Sequence, residues 1–329
     1  MKGKNRLLII FILLINTAFS QNKPYSNITV AQDGSGDFTT IQEAVNSTRD
    51  LGPGEVLITI KPGVYKEKLV IPSWKHQLTL RGSGKENTRI THADYSGKID
   101  SLTQQKLNTF TSYTVLVQGN DIKIENLTIE NASCNQGQAV ALHVEADRFV
   151  IKNSAILGCQ DTVYAATENS RQFYDNCEIE GTTDFIFGEA TAVFRNCTVK
   201  SKANSFVTAA ATPKGQQYGF VFLNCKLSAS QNVDKVYLGR PWRPYAKTVF
   251  INCELGDYIV VEGWDAWTGD AMFPEKEKTT FYAEYQNFGA GSSTGKRVSW
   301  SKQLSPLEAK KYTVKTILAG SDGWNPIKN

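Results

Sequence analysis

Asp161 and Asp184 share one phase of an internal repeat, each eight residues after a repeated asparagine. Carboxylates held in phase on neighbouring turns are raw material for a proton donor paired with a nucleophile. The repeat reads aromatic or aliphatic, any residue, Asn, then a small or apolar residue. It occurs at Ile124-Glu125-Asn126-Leu127, Ile151-Lys152-Asn153-Ser154, Tyr174-Asp175-Asn176-Cys177, Phe194-Arg195-Asn196-Cys197, Phe222-Leu223-Asn224-Cys225 and Phe250-Ile251-Asn252-Cys253. The asparagines are 27, 23, 20, 28 and 28 residues apart, one solenoid turn each. Stacked at ~5 Å in an effective dielectric of ~20, two carboxylates repel by ~3 kcal/mol, worth ~2 pKa units. One therefore keeps its proton unless a cation intervenes, which divides the pair into an acid and a nucleophile.

A cation is available in Leu238-Gly239-Arg240-Pro241-Trp242, where Arg240 is flanked by residues that restrict its backbone. Pairing with Asp184 would keep that carboxylate ionised. Gln160 directly precedes Asp161, and Gln138 opens Gln138-Ala139-Val140-Ala141-Leu142 one turn earlier. A primary amide donates hydrogen bonds without changing charge, which suits both glutamines to holding an oxyanion. Taken singly, an aspartate in a solenoid turn is better explained by a loop-capping bond and a glutamine by a ladder position; the in-phase pair beside Gln160 favours chemistry.

These residues need a rigid frame. Leu57 to Ile60, Leu69 to Ile71, Leu78 to Leu80, Thr114 to Val117 and Ile122 to Ile124 are short β-branched segments, mostly bounded by turn residues. Repeats made of such strands stack as a parallel β-helix, with the asparagines forming an internal ladder that satisfies buried turn groups. Solenoid ends must be covered. Thr40-Ile41-Gln42-Glu43 fits a capping box opening a helix with an Ile41, Ala44, Val45 face, and Ser305-Pro306-Leu307-Glu308 signals a second helix that packs back along the coil. The non-repetitive stretches 92–110, 202–218 and 256–290, the last carrying Trp264, Trp267, Phe273, Phe281, Tyr282 and Tyr285, are expected as the walls of a cleft.

Lys2, Lys4 and Arg6 precede the apolar run Leu7 to Ile15, and Ala18-Phe19-Ser20 offers small residues for cleavage before Gln21. This is the pattern of a secretory signal peptide over residues 1–20, and the run is short of the ~20 residues of a spanning helix. Residues 21–329 are then one exported domain, a monomer outside the inner membrane. The formal charge of +4 falls to about +1 once those three basic residues leave, so nothing supports nucleic-acid or membrane docking. Of six cysteines, Cys177, Cys197, Cys225 and Cys253 share one repeat position. Parallel neighbours at ~4.8 Å are poorly directed for a disulfide, and all six are expected as free thiols.

In order along the chain, Asp33-Gly34-Ser35-Gly36-Asp37-Phe38, Gly63-Val64-Tyr65-Lys66-Glu67, Gln138 to Leu142, Gly158-Cys159-Gln160-Asp161-Thr162, Gly181 to Gly188, Leu238 to Trp242 and Tyr285-Gln286-Asn287-Phe288-Gly289 resemble the pectin methylesterases, carbohydrate esterases of methylated polygalacturonate. The resemblance implies an all-β, right-handed parallel β-helix with short capping helices and no cofactor or metal. It implies Asp184 as nucleophile, Asp161 as general acid and then base, Gln138 and Gln160 as oxyanion donors, and Arg240 fixing Asp184 and touching the galacturonate carboxylate. Trp242 would stack on sugar, with Thr109 and Phe187 as further substrate contacts. The chain departs from the usual pattern at Val163, His143 and Glu189, where leucine, arginine and asparagine are common; Glu189 adds a negative charge near a cleft for an anionic polymer. Paired acids also suit retaining glycoside hydrolysis, β-helix enzymes can cleave the same polymer by elimination, and a solenoid can serve as a non-catalytic sugar-binding surface.

Overall fold

The computed structural model describes residues 26–328; the signal-peptide segment lies outside them. The alternation of short β-branched segments with turn residues produces three sheets, of 11, 7 and 7 strands, in which every pairing of successive strands is parallel. The chain is a parallel β-helix: the central coils each contribute one strand to each sheet and hydrogen-bond to the coil before and after, while the end coils add strands to the first sheet alone. All five segments read as strands from the sequence are strands, for instance Val56–Ile60 and Leu78–Arg81.

The repeated asparagines mark the corner between the first and second sheets. Asn126, Asn153, Asn176, Asn196, Asn224 and Asn252 all have left-handed backbones, with φ from 50° to 57°, a conformation that asparagine tolerates better than most side chains. The expected internal ladder is therefore wrong in direction. Asn153, Asn176, Asn196, Asn224 and Asn252 are exposed, because the left-handed corner turns the side chain outward. Buried turn groups need no amide there: the Asn176 N–H donates to the Arg195 carbonyl at 2.9 Å, Asn196 to Leu223 at 3.0 Å and Asn224 to Ile251 at 3.0 Å, backbone to backbone across coils. One side-chain link joins Asn176 to Asn153 at 2.8 Å.

What stacks inside is apolar. Tyr174, Phe194, Phe222 and Phe250 are in register, with ring centroids 4.5, 4.6 and 4.3 Å apart. The same corner carries Cys177, Cys197, Cys225 and Cys253, all buried and free of disulfides. Burial holds the thiols of Cys177, Cys197 and Cys225 well above the ordinary thiol range, which makes them inert. The other two cysteines correct the expectation of six thiols. Cys134 and Cys159 form a disulfide, their Cα atoms 5.4 Å apart, because neither belongs to the ladder and a loop brings Cys134 back against Cys159.

Both ends are covered. Helix α1 (Ile41–Ser47) buries Ile41, Ala44 and Val45 over the first coils, with Thr40 capping the Glu43 N–H. The reciprocal half of the expected box is replaced: Glu67 accepts from the N–H groups of Ile41 and Gln42 at 2.9 and 3.0 Å. Helix α2 (Pro306–Ala309) has its complete capping box with Pro306 in the first turn, and α3 (Val314–Leu318) lies back along the first sheet, packing Val314, Ile317 and Leu318 with Phe173, Val193 and Val221. The stretch 256–290 is only partly a cleft wall. Trp264, 1% exposed, and Tyr282, fully buried, extend the internal aromatic stack, and Phe281–Tyr285 is a strand of the first sheet, because the last coil must supply the apolar surface that no further coil provides.

Thiol titration of the denatured chain without reductant is expected to count four groups, rising to six after reduction. Six without reductant would exclude the Cys134–Cys159 bond.

Candidate active site

The second and third sheets meet at a corner built like the asparagine one. Asp161 lies between the strands Ala155–Leu157 and Val163–Ala165, and Asp184 between Glu178–Gly181 and Ile186–Gly188. Both have left-handed backbones, φ 65° and 48°. Val163 pairs with Ile186 in the third sheet, so the aspartates, two residues before each, occupy equivalent positions on consecutive coils. The Asp161 N–H donates to Thr183 at 3.1 Å and the Asp184 N–H to Phe206 at 2.9 Å, locking each corner to the next coil. Close packing at the corner requires glycine: a Cβ on Gly181 would overlap the Phe185 side chain and stand 2.8 Å from the Cys159 carbonyl.

The two carboxyls are 8% and 7% exposed, but their surroundings differ. Arg240 grips Asp184 with both arms, Nε to Oδ1 at 3.0 Å and NH2 to Oδ2 at 2.7 Å, a bidentate geometry that lysine could not supply. Its guanidinium is itself held between two rings, 3.9 Å from the Phe206 centroid and 3.7 Å from that of Trp267. Lys276, bonded to Asp270 and lying over the Trp267 ring at 4.3 Å, supports that wall. The Asp161 carboxyl has no hydrogen bond or ion pair to a side chain among the described residues. Burial first, and then the Asp184 charge, push Asp161 well above the ordinary aspartate range. Burial also raises Asp184, against the pull of the Arg240 hydrogen bonds. Arg240 thus limits the rise of Asp184 rather than abolishing it, and the proton resides preferentially on Asp161.

Beside the pair, the outer face of the third sheet presents one register row, His143, Tyr164, Phe187, Ala209 and Arg240. Tyr164 stacks on Phe187 at 4.6 Å, nearly parallel, and Phe187 meets Trp242 edge-on at 5.8 Å. This aromatic strip, packed with Tyr113 and Trp267, is separate from the interior core. Gln138 and Gln160 are half-buried, and their segments run side by side, the Ala139 N–H donating to the Gln160 carbonyl at 3.1 Å. Neither amide is committed to another group among the described residues. Thr109 begins the short 3-10 helix Thr109–Thr111, and its neighbour Phe110 lies 5.3 Å from the Tyr164 ring.

Structure therefore gathers Asp161, Asp184, Gln160 and Arg240 at one corner, runs Gln138 beside it, and sets Phe187 and Trp242 along the strip. The sequence reading missed Tyr164 and Phe206, and gave Trp267 no individual role. Outward-facing aromatics in a strand that otherwise buries small residues were the available signal. Glu189 sits by Tyr164, its Oε1 3.5 Å from the hydroxyl, with its Oε2 buried and unpartnered among the described residues; burial raises its pKa from the ordinary glutamate value.

A parallel β-helix that sets two buried carboxyls on consecutive coils, one clamped by arginine, carries groups of the kind that can serve as acid and nucleophile without serine or histidine. Comparison with known proteins gives that arrangement a family. Residues 27–321 match the family model described as Pectinesterase, and the chain belongs to the pectinesterase family. It is 36% identical over 287 residues to Pectinesterase 31 of Arabidopsis thaliana, covering 86% of this chain and 89% of that protein. It is 35% identical over 320 residues to Probable pectinesterase/pectinesterase inhibitor 13 of the same plant, covering 92% of this chain but 50% of the relative. The chain thus spans about half the length of several curated relatives. Among solved structures it is similar to the pectin methylesterase from carrot, with a TM-score of 0.82 and 33% identity over 90% of this chain and 94% of that one. It is also similar to the pectin methylesterase PemA from Erwinia chrysanthemi, with a TM-score of 0.80 and 29% identity over 92% and 98%.

Asp161→Asn tests the electrostatics. Because the folded protein holds the Asp161 proton more firmly than the unfolded chain, wild-type stability falls as pH rises from the ordinary aspartate value of 3.8 through the raised folded value. The variant should melt higher than wild type at neutral pH, by about 2–4 °C for each kcal/mol relieved, and the gain should vanish as pH falls toward 3.8. A melting difference that does not vary with pH would contradict the assigned proton.

Proposed function

We propose that this chain is a secreted esterase that hydrolyses the C6 methyl esters of methylated polygalacturonate, yielding pectate and methanol through an aspartyl acyl-enzyme. The observation that carries the reading is the asymmetric pair: Asp184 gripped at both oxygens by Arg240, beside an Asp161 that holds its proton more strongly. Family membership supports it, as does the likeness to a pectin methylesterase crystallised with a hexasaccharide, 29% identical over 92% of this chain with a TM-score of 0.77.

In the first half-reaction an Asp184 oxygen attacks the ester carbonyl carbon, and the carbonyl oxygen becomes an oxyanion that accepts hydrogen bonds from the Gln138 and Gln160 amides. The carbon–methoxy bond breaks as the Asp161 proton passes to the leaving oxygen, so methanol departs and a mixed anhydride on Asp184 remains. Asp161, now ionised, takes a proton from water as the water oxygen adds to the acyl carbon. The anhydride opens, Asp184 regains its charge, Asp161 its proton, and the galacturonate product is freed. Arg240 holds Asp184 aimed and offers a contact for a neighbouring uronate, while Trp242 presents its ring to the sugars, backed by the buried Phe187, and Thr109 offers a rim hydroxyl. Residues 1–20 form the export signal and 21–329 a single monomeric domain; the Cys134–Cys159 disulfide fits an oxidising compartment.

A methanol assay on highly methylated pectin tests the activity. Wild type should release methanol without lowering polymer viscosity, whereas a glycosidase or lyase would lower it. Asp184→Asn and Asp161→Asn should each lose about 10²–10⁴-fold in kcat and still bind polymer; full methanol release by either variant would remove the proposed chemistry.

Arg240→Ala tests the clamp. The rate rises with pH as Asp184 ionises and falls as Asp161 loses its proton, so removing the cation that opposes the rise of Asp184 should move the acidic limb of kcat/KM to higher pH. An unmoved limb would mean that Arg240 does not control Asp184.

A further inference from the structure

The disulfide lies beside the groups assigned to the oxyanion. Cys159 is the residue immediately before Gln160, and Cys134 stands four residues before Gln138. Backbone bonds anchor the chain on either side of the Cys134 loop but not within it. Before the loop, the buried Asn131 amide donates to the carbonyls of Asp94, Ser112 and Val140 at 2.9, 3.0 and 3.0 Å, and its oxygen accepts the Ser133 N–H at 2.9 Å. After it, the Gln138 carbonyl accepts from Ser96 at 2.8 Å and the Ala139 N–H donates to Gln160. From Cys134 to Gly137 no backbone hydrogen bond is made among the described residues, and Asn135 and Gly137 have φ of 62° and 128°.

The Cys159 side of the link is firm. Its carbonyl accepts from the Thr182 N–H at 2.9 Å and the Thr162 hydroxyl at 3.1 Å, and Lys202 donates to the Gly158 carbonyl at 2.9 Å. The disulfide therefore ties a loop that makes no backbone hydrogen bond of its own among the described residues to a well-bonded point of the Asp161 corner.

Resting on the esterase reading, we infer that the Cys134–Cys159 disulfide is a positioning device, which holds the Gln138 segment against the Gln160 corner so that both amides meet the same oxyanion. An oxyanion donor misplaced by a fraction of an ångström loses much of its effect, while ground-state binding along the aromatic strip does not depend on it. The bond should act on kcat and leave KM nearly alone.

The test is Cys134→Ala/Cys159→Ala in the full chain, assayed for methanol release, with Gln138→Ala made in both backgrounds. The expected result is a kcat about tenfold lower with KM within about twofold, and a Gln138→Ala loss several-fold smaller without the disulfide than with it. Equal Gln138→Ala losses in the two backgrounds, or an unchanged kcat, overturn the inference. Should the double variant not fold, the folded wild type can be treated with a dithiol, whose two electrons open the disulfide to two thiols as the reagent closes to its own cyclic disulfide. Activity should fall in step with the two new thiols, at unchanged circular dichroism, and return on reoxidation; full activity in the reduced, folded protein overturns the role. Wild type that releases no methanol removes the esterase reading and this inference with it, whereas an active wild type with an indifferent disulfide removes the inference alone.

Discussion

Coil-to-coil register is the constraint on which the molecule depends. In a parallel stack the hydrogen bonds fix each residue opposite its equivalent on the next coil, at the ~4.8 Å spacing of neighbouring strands. A slip of one residue would turn the Tyr174, Phe194, Phe222 and Phe250 stack outward and carry Asp161 away from Asp184 together. Core and site are thus specified by one set of bonds. The left-handed corners set the register's phase, since the chain can turn from sheet to sheet within one or two residues only where the backbone adopts positive φ. Asparagine serves at one corner and aspartate at two positions of another. The paired carboxylates are corner residues whose side chains happen to be ionisable.

Burial then converts geometry into chemistry. Two carboxyls set this deep cannot both be charged without opposing the fold, and among the described residues the one cation in direct contact with the pair, Arg240, bonds Asp184 alone. Phe206 and Trp267 leave Arg240 one orientation, so the asymmetry is a property of the scaffold rather than of either aspartate. The same reasoning applies to Glu189. As a residue type it promises repulsion toward an anionic polymer, yet it is half-buried beside Tyr164, and burial raises its pKa from the ordinary glutamate value.

Much of this was legible beforehand because a solenoid writes its three-dimensional period directly into the chain. The recurrence of asparagine exposed the coils, and an offset of eight residues exposed the pair. Errors arose where one residue type serves two physical purposes. Asparagine can bond along a ladder or simply accept a left-handed corner, and only the outward direction of its side chain separates the two. Trp264 and Tyr282 looked like loop aromatics because they lie outside the repeat, but they close the core at its last coil. The Cys134–Cys159 bond was invisible because its partners fall outside the repeated cysteine position, and a loop, not a strand, brings them together.

The sequence by itself determined the parallel coil, the family, the covered ends and the identity of the paired acids, since each is a local pattern repeated or a motif kept in order. Tertiary structure alone decided which acid keeps the proton, how Arg240 is braced, which aromatics face the cleft and which cysteines pair. Those features depend on burial and on side-chain contacts between residues 23 to 56 positions apart, and the repeat period places coils without saying which side chains on them meet.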